Sequence, residues 1–138
     1  MSGKSLQFSF GDERRANGAF TLHEYIIEDR GSRYSVSIGE VHNREDIKTF
    51  LATLKKSKRY AAADHNSYAA RISNDGAIYE TKHDDGEAGA GMVILRIMQK
   101  EAIVDTIICV TRWFGGIKLM GDRFRHIQNA TKHAVDSL

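Results

Sequence analysis

Residues 111–126 read TRWFGGIKLMGDRFRH and directly follow the apolar run IICV at 107–110. A continuous apolar run of this length is typical of a strand that is buried on both faces or central in a sheet. After the glycine pair, a largely apolar stripe recurs at helical spacing from about Asp122 onward: Phe124, Ile127, Thr131, Ala134, Val135 and Leu138. The stretch therefore predicts a central strand, a tight loop and the last helix, and we expect any binding site to lie there.

The composition predicts one folded domain with a core of its own. Of 138 residues, 41% are hydrophobic and 28% are charged, close to the averages for soluble domains. The net charge of +2 is compatible with an acidic partner or nucleic acid but is too small to demand either. No stretch reaches the roughly 20 apolar residues of a membrane span, so we expect no membrane association and predict a cytoplasmic protein.

The single cysteine, Cys109, lies inside the apolar run at 107–110. One thiol cannot form an internal disulfide, which agrees with a reducing compartment. We predict that Cys109 is a small buried hydrophobe and not a reactive nucleophile.

Two β-hairpins are predicted upstream, each marked by a glycine-containing turn between two strand-like runs. The turns lie at 29–31 and 74–76, and the flanking runs are 20–28 with 34–38, and 66–73 with 77–83. The run at 34–38 alternates apolar and polar residues, as a half-buried strand does.

Two further helices are predicted between these strands. Asn43 is a candidate N-cap for a helix whose apolar residues recur at i, i+3, i+4 and i+7, namely Ile47, Phe50, Leu51 and Leu54. The charged run KKSKR at 55–59 is interpreted as the solvated end of this helix, with a patch for phosphates or an acidic partner as the alternative. The other helix, near 92–101, follows a glycine-rich acidic loop at 84–91.

The order of these elements is strand, strand, helix, strand, strand, helix, strand, helix. It predicts an α+β fold, a two-layer sandwich of a mostly antiparallel sheet with helices on one face. Residues 1–17 are predicted to be a flexible arm, and residues 18–138 to form a single domain.

Three segments together resemble motifs of the IMPACT family, also called the YigZ family. Residues 63–71, ADHNSYAAR, resemble its A-T-H-N-x-Y-A-Y-R strand; residues 84–87, DDGE, resemble its acidic loop; and residues 112–116, RWFGG, resemble its R-[WY]-[FY]-G-G loop. Residues 122–127, DRFRHI, are similar to the D-R-F-K-H-I of the eukaryotic branch. The chain departs from these motifs at Asp64, Ala88 and the Met120-Gly121 pair.

The resemblance implies a fold like the second domain of ribosomal protein S5 and a role in translational control. Eukaryotic IMPACT proteins bind a large ribosome-associated activator of a stress kinase and so restrain phosphorylation of an initiation factor. The resemblance implies no enzymatic activity and no cofactor. Eukaryotic members carry an RWD domain before this one, and because 138 residues leave no room for it, we expect an IMPACT-type domain without it.

Gly115 and Gly116 lie between the predicted strand and the last helix, near cations at Arg112, Lys118 and Arg123. Glycines permit close backbone approach, and cations beside a helix N-terminus favour an anion, so one interpretation is a site for a phosphate or a nucleic-acid backbone. The other is architectural, with the glycines forming a sharp turn and Arg112 pairing with a carboxylate. We favour the architectural interpretation for the glycines, and both stay open for Arg112.

The acidic loop at 84–87 supplies three carboxylates, Asp84, Asp85 and Glu87. Oxygen ligands suit Mg²⁺ or Ca²⁺, but the ligand spacing of a calcium loop is missing, so no metal is predicted. We expect these carboxylates to cap the following helix or to pair with Arg112.

His65 and Trp113 each permit two interpretations. His65 could form an acid/base pair with Asp84 or His83, but a lone histidine in a strand beside Asn66 is more often a hydrogen-bonded structural residue. Trp113 and Phe114 could stack on a nucleic-acid base or anchor the core at a strand end. No nucleophile and base occur in a recognisable set, so no catalytic residue is predicted.

The leading hypothesis is a non-enzymatic regulatory module that contacts a protein partner in translational control through residues 112–126 and the basic helix end. The alternatives are a nucleic-acid-binding domain and a phosphate- or metal-dependent enzyme built on the acidic loop and Arg112. The candidate binding residues are His65, Asn66, Asp84, Asp85, Glu87, Arg112, Trp113, Gly115, Gly116, Lys118, Arg123 and Arg125.

Overall fold

The structure, a computed structural model, describes residues 13–138, and five strands within this range form one sheet. The strands are β1 (Thr21–Asp29), β2 (Ser32–Glu40), β3 (His65–Asn74), β4 (Ala77–His83) and β5 (Thr106–Trp113). Their order across the sheet is β1-β2-β5-β3-β4, and every neighbouring pair is antiparallel. The predicted central strand is confirmed, because β5 lies in the middle and all of its residues are buried.

Both predicted hairpins close through two-residue turns in which each residue has a positive φ. Arg30 (φ 48°) and Gly31 (φ 84°) connect β1 to β2, and Asp75 (φ 49°) and Gly76 (φ 82°) connect β3 to β4. Positive φ at both positions is typical of a type I′ turn, whose twist matches that of paired strands. The glycine-containing turn signals therefore locate both hairpins correctly.

Four helices lie within the described range: α1 (Arg44–Lys55), α2 (Lys58–Ala61), α3 (Ala90–Lys100) and α4 (Asp122–Asp136). Asn43 caps α1 as predicted, since its side-chain oxygen accepts a hydrogen bond from the Asp46 backbone N–H at 2.8 Å. The short α2 is an addition to the prediction, which assigns residues 55–59 to a solvated helix end; its buried Tyr60 anchors it. No helix among residues 13–138 is long and apolar enough to cross a membrane.

The helices cover both faces of the sheet, which corrects the predicted two-layer sandwich with all helices on one face. Side chains along a strand alternate between faces. Ile108 and Val110 pack in the core with α3 and α4, whereas Ile107 and Cys109 pack with α1. A strand that is apolar on both faces is stable only when other elements shield both faces from water. The sheet therefore lies between two layers of helices, which makes three layers in all. The α+β class and the antiparallel sheet are confirmed.

Part of the predicted N-terminal arm is docked on the domain. The Arg14 backbone N–H donates to the Ala102 carbonyl at 2.9 Å, and the Val104 N–H donates to the Arg14 carbonyl at 2.8 Å. Ala16 is buried, and its N–H donates to the Thr106 hydroxyl at 2.9 Å. Residues 14–16 of the predicted arm are therefore hydrogen-bonded to the domain, while residues 1–12 lie outside the described range.

Cys109 is fully buried in β5, as predicted for a structural residue. Burial raises the pKa of its thiol to about 12. Because the thiolate is the reactive form, Cys109 is unreactive at neutral pH in the folded protein.

Candidate functional site

A cleft of about 580 Å³ opens where the end of β5, the acidic loop at 84–87 and the start of α4 meet. Five of the predicted site residues line it, and we refer to it as the cationic cleft. These residues are His65, Glu87, Arg112, Lys118 and Arg123. Its apolar lining consists of Phe114, Leu119, Met120 and Phe124.

A buried ion pair forms the inner wall of the cationic cleft. Arg112 Nη1 donates to Glu87 Oε2 at 2.8 Å, and the two residues are only 5% and 2% exposed. The acidic loop positions Glu87, because the Glu87 N–H donates to the Asp84 carbonyl at 3.1 Å. Of the three carboxylates that the sequence offered as partners for Arg112, the structure selects Glu87.

The remainder of the Arg112 side chain is packed but only partly hydrogen-bonded. Its guanidinium carbon lies 5.6 Å from the Tyr34 ring centroid and 5.7 Å from that of Phe114, and Nη2 donates to Ser32 Oγ at 3.4 Å. Arg112 Nε and the Tyr34 hydroxyl are buried without a hydrogen-bond partner among residues 13–138. Burial also raises the pKa of Tyr34 to about 12. The inner wall is therefore polar and incompletely satisfied.

The turn between β1 and β2 fixes the start of α4 beside the cleft. Arg30 Nη2 donates to Asp122 Oδ2 at 2.6 Å and to Asp29 Oδ2 at 2.9 Å. His126 Nε2 lies 2.8 Å from the same Asp29 oxygen. Hydrogen bonds from Arg30 and then His126 hold the pKa of the Asp29 carboxyl well below its usual range. This network ties α4 to the sheet edge.

The charge of the cleft comes from side chains. Three cations, Arg112, Lys118 and Arg123, line it with one carboxylate, that of Glu87. Arg123 Nη1 lies 3.5 Å from Glu87 Oε2, and within the described chain Lys118 has no carboxylate within 4 Å. The cleft therefore carries a net positive charge.

The first backbone N–H groups of α4 are already engaged. Those of Asp122, Arg123 and Phe124 donate to the carbonyls three residues earlier, at 3.1, 3.3 and 3.2 Å. An anion site at a helix N-terminus depends on free backbone N–H groups, and these three are not free. The N-terminus of α4 is therefore poorly suited to bind an anion through its backbone. An anionic ligand in the cleft would meet cationic side chains instead.

The acidic loop divides its carboxylates between different tasks. Asp84 accepts hydrogen bonds from the backbone N–H groups of Gly89 at 3.0 Å and Gly91 at 2.8 Å, and so caps α3. These two hydrogen bonds lower the pKa of Asp84. Among residues 13–138, no three His, Cys, Asp or Glu side chains are grouped closely enough to hold a metal ion.

Asp85 joins the acidic loop to β3. Its carboxylate accepts from the Asn66 backbone N–H at 2.7 Å, and its carbonyl oxygen lies 2.9 Å from His65 Nδ1. The Asn66 side chain is buried, donating to the Tyr60 carbonyl at 3.0 Å and accepting from Thr111 Oγ1 at 2.7 Å. His65 therefore borders the cleft, whereas Asn66 and Asp85 are structural.

Trp113 lies on the opposite face of the sheet from the cleft. Its Nε1 donates to the Arg59 carbonyl at 3.0 Å, and its ring meets that of Tyr60 edge-on at a centroid distance of 4.9 Å. The Arg59 guanidinium carbon lies 4.6 Å from the Trp113 ring centroid. Trp113 is therefore a core anchor, while the neighbouring Phe114 lines the cleft and is exposed.

The two signature glycines have architectural roles, and neither lines the cleft. A Cβ on Gly115 would overlap the backbone of Gly31, so only glycine permits this approach of the loop to the β1–β2 turn. Gly116 has φ 92° and open space around it. Arg125 also lies outside the cleft, where it pairs with Asp122 at 3.1 Å.

The predicted site residues omitted an exposed apolar rim. Phe114, Ile117 and Met120 all lie within the loop 114–121 and are 45%, 54% and 71% exposed. The signal was present in the sequence, since large apolar residues in a glycine-containing loop have no helical or strand-like pattern that would bury them. Phe124, assigned to the core stripe of α4, lines the cleft instead.

The chain is similar in sequence to the Impact N-terminal domain and to IMPACT proteins of several organisms. The sequence model of the family described as Impact N-terminal domain matches residues 30–135. The chain is 36% identical to Protein IMPACT of Mus musculus over 115 residues, which cover 82% of this chain and 36% of that protein. It is 34% identical over 110 residues to the Protein IMPACT homolog of Schizosaccharomyces pombe, covering 79% and 39%. The chain thus spans well under half the length of these relatives.

Two solved structures align with most of the chain. The two-domain translational regulator Yih1 superposes with a TM-score of 0.60 at 32% identity, covering 88% of this chain and 48% of that chain. A crystal structure described only as that of a hypothetical protein superposes with a TM-score of 0.72 at 21% identity, covering 85% and 60%. The second likeness supports the fold alone.

Proposed function

The chain belongs to the family of the Impact N-terminal domain, and we propose that it is a non-enzymatic binding module of translational control. Its partner in this proposal is the one that the family resemblance implies, a ribosome-associated activator of a stress kinase. Binding would restrain phosphorylation of an initiation factor. The proposed contact surface is the cationic cleft together with the apolar rim, Phe114, Ile117 and Met120.

The observation that carries the proposal is the combination of exposed apolar and cationic side chains around one open cleft. Aromatic residues, Met and Arg are the residue types enriched in protein–protein interfaces. Phe114, Met120 and Arg123 supply all three types within one site. The side chain of an exposed Met adapts its shape to a partner, which suits a binding surface.

The similarity to Yih1 supports the same class of function. That protein is described as a translational regulator, and it is 32% identical to this chain in an alignment that covers most of this chain and about half of Yih1. Two cleft residues, Arg112 and Glu87, belong to the motifs on which the resemblance rests, and they form the buried pair of the inner wall. Two of the family motifs therefore contribute residues to the inner wall of the cationic cleft.

Affinity purification from a eukaryotic cell extract tests the proposal. The full chain is compared with a Lys118→Ala, Arg123→Ala variant and with a Lys100→Ala, Lys132→Ala variant that removes the same charge from exposed positions on α3 and α4. We expect the wild type and the Lys100/Lys132 control to recover ribosome-associated proteins that include the kinase activator. The cleft variant should recover at least about fivefold less, because it removes the two cations of the cleft that lie outside the buried Arg112–Glu87 pair.

The result is interpretable only when all variants unfold at the same denaturant concentration, which a urea titration establishes. Recovery of no translation-related protein by the wild type would overturn the proposal. A further variant, Lys55→Ala with Lys56→Ala, tests the predicted contribution of the basic helix end, which lies on the α1 side of the sheet.

A further inference from the structure

We infer that the cationic cleft binds an acidic peptide segment that carries large apolar side chains. The inference rests on the proposed function, because it specifies the chemistry of the partner segment for the same cleft. It follows from the charge of the cleft, its apolar lining, its size and the lack of a continuous track of unpaired cations beside it.

The charge of the cleft selects carboxylates. Arg112 and Glu87 largely neutralise each other at 2.8 Å, which leaves Arg123 and Lys118 as the cations available to a ligand. In the described part of the chain the Arg123 guanidinium makes no hydrogen bond, and its contact with Glu87 at 3.5 Å is ionic only. A guanidinium fork with free donors is suited to bidentate binding of a carboxylate.

The apolar lining selects large apolar side chains next to those carboxylates. Phe114 and Met120 both line the cleft and are among its most exposed residues, and Phe124 and Leu119 extend the apolar surface inward. The Arg123 guanidinium carbon lies 4.6 Å from the Phe124 ring centroid, so cationic and apolar surfaces are contiguous. A ligand that satisfies only one of them leaves the other exposed to water.

The size of the cleft favours a peptide segment over a folded surface. At about 580 Å³ it lies within the range of roughly 300–1,000 Å³ that is typical of small-ligand pockets. Such a volume admits an anchoring apolar side chain with its neighbours, in the way that short motifs dock into grooves.

The cations of the cleft do not continue into a track that a nucleic-acid backbone could follow. Asp64 accepts a hydrogen bond from the Phe114 N–H at 2.7 Å at the exposed rim, and Asp122 lies beside Arg123. The next cation along α4, Arg125, is already paired with Asp122. A phosphate backbone needs a continuous track of cations, whereas a peptide carboxylate needs only the local pair of Lys118 and Arg123.

Fluorescence anisotropy with defined probes tests the inference. The probe is a short labelled peptide in which Glu alternates with Leu and Phe. Three comparison probes are used. In the first peptide every Glu is replaced by Gln, and in the second every Leu and Phe is replaced by Ser. The third probe is an unstructured uridine oligonucleotide with the same net charge as the parent peptide. We expect the full chain to bind the parent peptide at least about tenfold more tightly than each comparison probe, since both surfaces contribute.

Variants then locate the binding. Lys118→Ala and Met120→Ser should each weaken binding of the parent peptide at least about fivefold, whereas the surface control Lys100→Ala should leave it unchanged. Lys118 and Met120 are exposed, so substitution leaves the fold intact, which thermal unfolding verifies. Equal or tighter binding of the oligonucleotide, an absence of peptide binding, or insensitivity to both substitutions would overturn the inference.

The inference and the proposed function can fail separately. Selective peptide binding with no translation-related protein recovered from extract supports the inference and contradicts the proposed function. Recovery of such a protein by wild type and by Lys118→Ala alike, without selective peptide binding, contradicts the inference and the placement of the contact surface at the cleft, but leaves the proposed role in translational control standing.

Discussion

Arg112 and Trp113 are adjacent in β5 and both buried, yet they face opposite sides of the sheet and end in different environments. Trp113 packs against Tyr60 and its single polar atom donates to a backbone carbonyl. Arg112 reaches a buried carboxylate and lines an open cleft, with its Nε unpaired among the described residues. One strand end therefore supplies a closed anchor on one face and a binding wall on the other.

The difference teaches how stability and function are divided between the two faces. Burial of an aromatic ring with its N–H satisfied is directly stabilising. A buried ion pair gains little net stability, because desolvation of both charges offsets their attraction, although breaking it is costly. The Trp113 face should hold the fold, and the Arg112 face should hold the geometry of the cleft.

The largest loss of stability that would test this division is expected from a substitution on the Trp113 face. Trp113→Ala should lower the free energy of unfolding by about 3–5 kcal/mol, because it removes a buried ring and leaves a cavity. Phe114→Ala, one residue later but exposed in the cleft, should lower it by less than about 1 kcal/mol. Urea unfolding followed by circular dichroism measures both. Comparable losses for the two variants would contradict the division.

A smaller effect is expected from the ion pair. Glu87→Gln should lower the free energy of unfolding by about 2–3 kcal/mol, since Gln keeps an acceptor but leaves the buried Arg112 charge uncompensated. The double variant Glu87→Leu, Arg112→Met should recover most of this loss. It should nevertheless bind no better than Lys118→Ala in the anisotropy assay. A double variant less stable than Glu87→Gln would show that the pair itself stabilises the fold.

The local elements of the fold were predictable because their signals are local. The Asp75-Gly76 turn and the Asn43 cap each depend on residues within a few positions of one another, and both occur as predicted. The placement of α1 on the second face depends on packing across the sheet. The apolar residues on both faces of β5 already indicated that both faces of the sheet are covered by other elements. The two-layer prediction did not use that signal. The docking of Arg14 and Ala16 has no local pattern at all.

The sequence predicted which segments form the candidate site, but only some of the contacts between their side chains. The sequence offered three carboxylates for Arg112, and the choice of Glu87 depends on the conformation of a distant loop, with Asp85 at φ 52°. The exclusion of Trp113 could have been made, because adjacent residues of a strand point to opposite faces. Phe114 was noted as a stacking candidate, and the exposed Met120 was noted only as a departure from the family motif.

The smallest effect concerns the loop that holds Glu87 against Arg112. Asp84 caps α3 through the N–H groups of Gly89 and Gly91, and these bonds lower its pKa in the folded state. Its contribution, about 1 kcal/mol for a cap, is therefore fully present above the unfolded-state pKa near 3.9 and is lost as pH falls towards the lower folded-state value.

Asp84→Asn should accordingly be less stable than wild type at pH 7, and the difference should shrink below about pH 4, when the wild-type carboxyl is also neutral. Urea unfolding at a series of pH values measures this, with Asp75→Asn in the exposed β3–β4 turn as the matched control. Because the cap lies on the cleft side, Asp84→Asn at pH 7 should weaken peptide binding while the emission of Trp113 in the folded state stays unchanged. A shifted Trp113 emission would mean that the two faces are coupled through β5, and the division between anchor and binding wall would then be wrong.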